Sequence, residues 1–137
     1  MPNPEPAVGS NGVSNGANPL SIAQKKHLKD SGVKHIYSNV NSFAAVTKDG
    51  KVETWGRWNG YAGDELDNAQ KERLDATRVV RIFSTKSAFA AVTKDGKVEV
   101  WGTQIVGGRL PDDQKARLDA VGVDRIYATD RLFAAVT

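Results

Sequence analysis

The hydrophobic and polar positions of this chain follow one pattern that recurs almost three times. Residues 43–53 and 89–99 are identical, and residues 133–137 repeat the first part of the same string, Phe-Ala-Ala-Val-Thr. The copies begin 46 and then 44 residues apart. A period of this length is typical of proteins in which one supersecondary unit stacks on copies of itself. We therefore expect successive units that shield one another's apolar faces.

The positions outside the identical string keep one register when the chain is aligned on a recurring glutamine. The three glutamines are Gln24, Gln70 and Gln114. Ser21 and Asp67 precede the first two by three residues, which is the spacing of a capping box that satisfies free amides at a helix start. We predict a short helix there in every unit. Because Pro111 occupies the capping position of the third unit, we expect that helix to begin one residue later.

Each predicted helix is followed by residues that favour strands. Residues 33–37 and 43–47 predict two strands, and residues 52–55 predict a third in which valine and threonine alternate with glutamate and tryptophan. Asp49 and Gly50 predict a type I′ turn between the last two strands, since that turn needs positive backbone angles at both central positions. The predicted fold class is therefore mainly β with short helices, each unit being a helix, a strand and a hairpin.

The register divides the chain into a leader and one repeat domain. Residues 20–65 and 66–109 are predicted to be complete units, and residues 110–137 a partial third unit. Residues 1–19 are rich in Asn, Gly, Ser and Pro, so we expect this leader to be disordered. It has neither a basic start nor an apolar run and is not a conventional secretory signal. A cytoplasmic location and export by another route both stay open.

The recurring residues include a hairpin signature at fixed spacing. Its positions in the first unit are Val33, Ile36, Phe43, Ala44, Ala45, Val46, Asp49, Gly50, Val52, Trp55, Gly56, Asn59 and Gly63. This string resembles the repeat of the regulator-of-chromosome-condensation family. The Lys-Asp-Gly-Lys-Val hairpin and the Ala23-Gln24 and Ser31-Gly32-Val33 connection are most similar to its bacterial β-lactamase-inhibitor branch. The family forms β-propellers, so the resemblance implies that the units are propeller-type blades.

The chain departs from that family in two respects. The family has a glycine pair and often a histidine before the second strand, where this chain has Ser-Asn-Val-Asn-Ser at residues 38–42, so a role tied to that histidine does not transfer. A closed propeller needs about four to eight blades, and this chain provides two units and part of a third. An open stack from a longer array, a ring of several chains, and an unpaired edge at residues 133–137 that another chain's strand occupies all stay open. We favour a short array whose edges are protected by association.

The composition excludes several kinds of chemistry. The 137 residues are 39% hydrophobic and 26% charged, and their formal charge is +3. Cysteine is absent, which excludes disulfides, a thiolate nucleophile and a cysteine-based metal site. His27 and His35 are the only histidines and have no recurring acidic partner, so we expect no general base. We therefore predict no enzymatic activity, no cofactor site, no metal site and no membrane span.

The loop after each Trp-Gly pair differs between units, although the frame around it is constant. Variable loops on a constant frame tend to carry binding residues, and Arg, Trp and Tyr are frequent anchors of protein partners. The candidates in these loops are Arg57, Trp58, Asn59, Tyr61, Gln104, Ile105 and Arg109. The link before the phenylalanine strand adds Asn41, Lys86 and Arg131. The alternative that Trp58 and Tyr61 only cover the rim of the stack stays open.

Two functional hypotheses follow from these patterns. The first is a non-enzymatic protein–protein interaction module that binds a protein partner or its own copies through these loops. The alternative is a nucleic-acid or chromatin-associated binder that uses a basic helix face. That face would contain Lys25, Lys26, Lys71, Arg73, Lys115 and Arg117. Acidic neighbours dilute this face, so we favour the first hypothesis.

Overall fold

The structure is a computed structural model that describes residues 17–18, 20–40, 42–57, 65–103 and 108–137. The elements are β1 (Ala17–Asn18), α1 (Ile22–Ser31), β2 (Val33–Ser38), β3 (Ser42–Thr47), β4 (Val52–Arg57), α2 (Asn68–Ala76), β5 (Val79–Ser84), β6 (Ala88–Thr93), β7 (Val98–Gly102), α3 (Asp112–Val121), β8 (Arg125–Ala128) and β9 (Phe133–Val136). The predicted class, mainly β with short helices, is confirmed. The predicted leader lies outside the described residues except for β1.

The strands form three small antiparallel sheets. The first sheet has the order β1-β4-β3-β2, the second has the order β5-β6-β7, and the third contains β8 and β9. The register is the same in the first two sheets, because Phe43 pairs with Trp55 and Phe89 pairs with Trp101. The two pairs of rings lie 5.4 and 5.6 Å apart between centroids. The predicted strands and their pairing within each hairpin are therefore confirmed.

The predicted capping boxes are present at the first two helices. The Ser21 hydroxyl accepts a hydrogen bond from the backbone N–H of Gln24, and the Gln24 side chain accepts one from Ser21, both at 3.0 Å. The same pair of bonds joins Asp67 and Gln70. The later start predicted for α3 is wrong, since Pro111 is its N-cap in the same register. The ring of proline suits this position, and Asp112 and Asp113 meet the positive end of the helix dipole.

The predicted type I′ turn at Asp49 and Gly50 is also wrong. The N–H of Gly50 donates to the carbonyl of Thr47 at 2.9 Å, so the central residues of the turn are Lys48 and Asp49. Gly50 follows as a residue with φ of 81°, which gives a three-residue hairpin loop. The Thr47 hydroxyl donates to the Asp49 carboxylate and lowers the pKa of that group. This side-chain bond fixes the turn one residue earlier than the Asp-Gly pair indicates.

Neighbouring sheets share two apolar cores of matching composition. The first core contains Ala44, Val46, Val52, Leu74, Val79, Ile82, Phe89, Ala91 and Trp101. The second core contains Ala90, Val92, Val98, Val123 and Ile126, with Phe83, Val100, Leu110, Leu118 and Phe133 packed against it. Residues at corresponding sequence positions therefore occupy corresponding places, with two exceptions. Ala135, the counterpart of Ala91, is exposed, and the second core has no counterpart of Trp101 among the described residues.

Backbone hydrogen bonds join the sheets at the hairpin turns. The N–H of Val79 donates to the carbonyl of Gly50 at 2.8 Å, and the N–H of Val123 donates to that of Gly96 at the same distance. A Cβ at Gly50 would lie 2.8 Å from the Cβ of Arg78. Glycine is needed here both for its positive φ and for this close approach. The turn between two strands therefore also sets the distance to the next sheet.

We predict that Phe89→Ala destabilises the protein far more than Phe43→Ala. The two residues have the same strand register, but Phe89 is fully buried whereas Phe43 is 41% exposed. Removing a buried phenylalanine typically costs about 3–5 kcal/mol of the free energy of unfolding. Urea unfolding of the two variants measures the difference. Equal losses would contradict the packing of the second sheet against the first.

Candidate protein-binding surfaces

The structure gives positions for part of the predicted binding residues. Asn41, Trp58, Asn59, Tyr61, Gln104 and Ile105 lie outside the described residues, and the backbone of Arg57 ends β4. The side chains of Lys86, Arg109 and Arg131 are exposed. The loops that follow Trp-Gly therefore remain predicted binding segments.

The links before the phenylalanine strands lie side by side. The backbone carbonyl of Lys86 accepts a hydrogen bond from the N–H of Val40 at 3.1 Å, and the N–H of Lys86 donates to the carbonyl of Asp130 at 2.9 Å. The side chain of Asn39 turns inward, where its Oδ1 accepts from the N–H of Ser42 at 3.0 Å. The structure thus brings the Lys86 segment next to the segment that contains Arg131, along one side of the three sheets.

α2 and α3 each hold the last hairpin strand of the preceding sheet, β4 and β7. The N–H of Val52 donates to Asp75 Oδ1 at 3.1 Å, and Lys71 Nζ donates to the carbonyl of Val52 at 2.6 Å. Lys71 also pairs with Asp75 at 2.8 Å. Lys115, Asp119 and Val98 make the same three contacts. We call this arrangement the strand clamp.

The strand clamp satisfies the backbone N–H and carbonyl groups of Val52 and Val98, which would otherwise be open to another chain. Its only sequence signal is a Lys and an Asp that recur four residues apart in α2 and α3. Such a pair is also what an isolated helix uses for its own stability. The contact of this Lys–Asp pair with a strand that lies about twenty residues earlier in the chain has no periodic signal in the sequence.

In each of the first two units one buried glutamate connects the hairpin to the helix that precedes it. Glu53 Oε2 lies 2.5 Å from His27 Nδ1 and 3.5 Å from Lys71 Nζ. Glu99 accepts two bonds from Arg73, at 2.5 and 3.0 Å. These bonds raise the pKa of Arg73.

The expectation that His27 has no acidic partner is therefore wrong. Arg73 is the sequence counterpart of His27, and both bind the glutamate of their own hairpin, with Lys115 completing the Glu99 site at 3.1 Å. Glu53 follows His27 by 26 residues and reaches it through the fold. Buried carboxylates need such paired cations, so this contact has a structural explanation.

The first sheet exposes an apolar face, whereas the equivalent face of the second sheet is buried. Val33, Ile36 and Phe43 are 38%, 50% and 41% exposed. Their counterparts in the second sheet, Val79, Ile82 and Phe89, are 2%, 3% and 0% exposed. Trp55 is stacked on Phe43 and belongs to the same surface. We call Val33, Ile36, Phe43 and Trp55 the front face.

The third sheet exposes the opposite face. Tyr127 and Val136 are 55% and 45% exposed, and Ala134 between them is also exposed. The corresponding positions of the first sheet, Tyr37, Ala44 and Val46, pack in the first core. We call Tyr127, Ala134 and Val136 the back face. The two ends of the described structure therefore carry the two different halves of one kind of interface.

The basic helix face is largely paired with acids. Lys26 pairs with Asp30 at 2.7 Å, and Arg117 lies 3.5 Å from Asp113. Lys71, Arg73 and Lys115 make the buried contacts described above. These pairs reduce the positive charge that the helices offer to a phosphate backbone.

Among the described residues, no three His, Asp or Glu side chains lie close enough together to hold a metal ion. In that same part of the chain, none of the helices has the length and apolar character needed to cross a bilayer. No model of a known protein family matches the sequence, and no curated protein matches it.

We predict that Asp75→Ala lowers the free energy of unfolding by about 1–3 kcal/mol, because it leaves the N–H of Val52 without its acceptor. Asp30→Ala is the matched control, since it removes the same kind of lysine pair on a largely exposed helix surface. That change should cost less than about 0.5 kcal/mol. Chemical denaturation compares the two variants, and equal effects would show that the strand clamp contributes no stability.

Proposed function

We propose that this chain is a non-enzymatic protein-interaction module of propeller type, in which the three sheets are successive blades. It binds copies of itself, or a protein partner of the same surface chemistry, through the front and back faces. The observation that supports this function is that residues buried between sheets inside the chain are exposed at its two ends.

The two faces fit each other because the chain already contains their interface. Phe89 and Ile82 of the second sheet pack against Ala44 and Val46 of the first. A front face placed on a back face would bring Phe43 and Ile36 against Ala134 and Val136 in the same arrangement. Such a contact joins unlike surfaces, so it extends head to tail into a ring or an open stack. Exposed apolar patches of this kind are typical of interaction sites.

The buried ionisable groups support a structural function. Glu53 and Glu99 are each held by side chains of two helices. Their oxygen atoms are therefore committed to contacts between helix and hairpin. The loop residues predicted to bind partners, such as Trp58 and Tyr61, would extend the interaction surface beyond the two faces.

We predict that the mass in solution rises above 14.8 kDa with protein concentration, and that Ile36→Glu or Val136→Glu abolishes this rise. Each substitution places a charge in one face. A mixture of the two variants should form a one-to-one complex, because each retains one intact face. Light scattering after size exclusion measures all three samples.

Two exposed positions away from the faces supply matched controls. Ile22→Glu and Val121→Glu introduce the same charge at side chains that are 87% and 71% exposed. Both variants should associate like the unchanged chain. A mass that stays at one chain up to millimolar concentration would overturn self-association. Association of Val136→Glu alone would overturn the head-to-tail arrangement.

The nucleic-acid alternative has its own test. We predict no tight complex with a labelled DNA duplex at 50 mM salt, since the helix cations are engaged by carboxylates. Fluorescence anisotropy measures the affinity. A tight complex that weakens by about 10³-fold at 200 mM salt would favour the alternative, because a loss of that size indicates release of counterions from many phosphate contacts.

A further inference from the structure

The strand that follows each helix carries a basic side chain two residues before an aromatic ring. In β5 the guanidinium carbon of Arg81 lies 6.0 Å from the centroid of the Phe83 ring. In β8 the Nη1 of Arg125 donates a hydrogen bond to the hydroxyl of Tyr127 at 3.2 Å. A histidine and a tyrosine take these positions in β2, and their ring centroids lie 4.4 Å apart. An aromatic side chain therefore supports a basic side chain at the same position of each sheet.

These three strands lie side by side, each at an edge of its own sheet. The edge strands are β2, β5 and β8. β5 approaches β2 on one side and β8 on the other to within 8 Å between Cα atoms. Arg81 therefore lies inside a row, with a sheet on either side of its own. The strand register shifts between Val79 and Arg81, and an irregularity of this kind re-aims the side chain that follows it.

Basic residues of the hairpin turns extend this row. Lys48 and Lys94 stand in the turns after β3 and β6, and Arg78 precedes β5. The Nη2 of Arg78 donates to the carbonyl of Lys48 at 3.0 Å, and the carbonyl of Arg78 accepts from the N–H of Lys94 at 2.8 Å. Arg78 therefore connects two neighbouring turns. The row is called the basic edge and consists of Lys34, Lys48, Arg78, Arg81, Lys94 and Arg125.

The cations of the basic edge differ from those of the helices in having no acidic partner. All six are exposed, and none forms an ion pair with a carboxylate in the part of the chain that the structure describes. Lys26, Lys71 and Arg117 of the helices are paired with acids. Charges also keep edge strands from pairing with other chains, but either sign serves that purpose. Recurrence of one sign across three sheets favours an anionic partner.

Three exposed carboxylates interrupt the basic edge and restrict the kind of anion that fits it. They are Asp49, Asp95 and Asp124. The hydroxyls of Thr47 and Thr93 donate to Asp49 and Asp95 and fix them in their turns, and the bond from Thr47 lowers the pKa of Asp49. A nucleic acid carries a charge on every phosphate, so its backbone would meet these carboxylates as well as the cations. A protein segment can carry its acidic residues at intervals and avoid this repulsion.

We propose that the basic edge binds an extended acidic segment of a partner protein that has a carboxylate at every second residue. Alternate residues of an extended chain point to the same side and lie about 6.6 Å apart, which agrees with the approach of neighbouring edge strands to within 8 Å. Arginine holds a carboxylate through two parallel hydrogen bonds, so Arg81 and Arg125 would bind successive acids. None of the six cations belongs to the front or back face, so this site goes beyond the proposed function.

The test uses a capped, fluorescein-labelled peptide of eight residues in which glutamate and serine alternate. Fluorescence anisotropy measures its affinity for the full chain at low salt, where charges are least screened. We expect binding that is lost when glutamine replaces every glutamate of the peptide. The double variant Arg81→Gln with Arg125→Gln should weaken binding at least about tenfold, because it removes two charge-assisted contacts.

A second double variant is the matched control. Lys26→Gln with Arg117→Gln lowers the net charge by the same amount, but at helix cations that already contact carboxylates. Its affinity should change by less than about twofold, since exposed ion pairs contribute little. NMR of the unchanged chain gives a measurement that does not depend on the folding of any variant. The peptide should shift the amide signals of Lys48, Arg81 and Lys94 most.

Several results would overturn the inference. They are absence of binding at millimolar peptide, equal weakening by the two double variants, and amide shifts that are confined to the helices. Tighter binding of a labelled oligothymidylate of eight nucleotides would also overturn it, since a nucleic acid would then be the occupant. The peptide titration does not require self-association, and the mass measurements on the front and back faces do not require the peptide, so the two proposals fail separately.

Discussion

The structure depends on the packing of an alanine-lined face of one sheet against the aromatic face of the next. Ala44 and Ala90 are both fully buried, and their small side chains leave room for Phe89 and Phe133 from the following sheet. A larger residue at either alanine would push the sheets apart, because protein interiors tolerate little added volume. The alanines therefore set the spacing that the cross-sheet hydrogen bonds of Gly50 and Gly96 also require. Both kinds of contact act at the same junction, so apolar packing and backbone bonding support one geometry.

Much of the fold could be predicted because its signals are local. The capping pairs of Ser21 and Asp67, the alternating residues of β4 and the turn glycines act within a few positions, and the recurrence of the pattern reinforced each signal. The two wrong predictions, of the turn at Gly50 and of the start of α3, also had local causes. At Gly50 the bond from Thr47 to Asp49 fixed a longer loop than the Asp-Gly pair indicates, and at Pro111 the proline occupied the cap position without shifting the helix.

The candidate binding surfaces could be predicted only in part. Ile36 is exposed and Ile82 is buried, although the sequences around them are alike. Their burial depends on whether another sheet packs against them, which the local sequence does not show. The same limit applies to Glu53 and Glu99, whose side-chain partners lie on helices distant in sequence. The contacts of His27 show the point most clearly, since a lone histidine on a helix gives no sign of the hairpin glutamate that folds beside it. Variable loops are visible in a sequence, whereas a face left uncovered at the end of a stack is not.

The strand clamp has a consequence for the polarity of the molecule. Lys29 of α1 stands at the position that Asp75 and Asp119 hold in the other helices, and Lys25 stands at the position of Lys71 and Lys115. An ammonium group cannot accept a hydrogen bond from the N–H of a strand. Helix α1 therefore cannot hold a strand through the contacts that α2 and α3 make with β4 and β7. A second copy placed against the front face would therefore not be held by a strand clamp from α1. Among the described residues the clamp thus runs in one direction along the chain, since α2 and α3 each hold a strand of the sheet that precedes them.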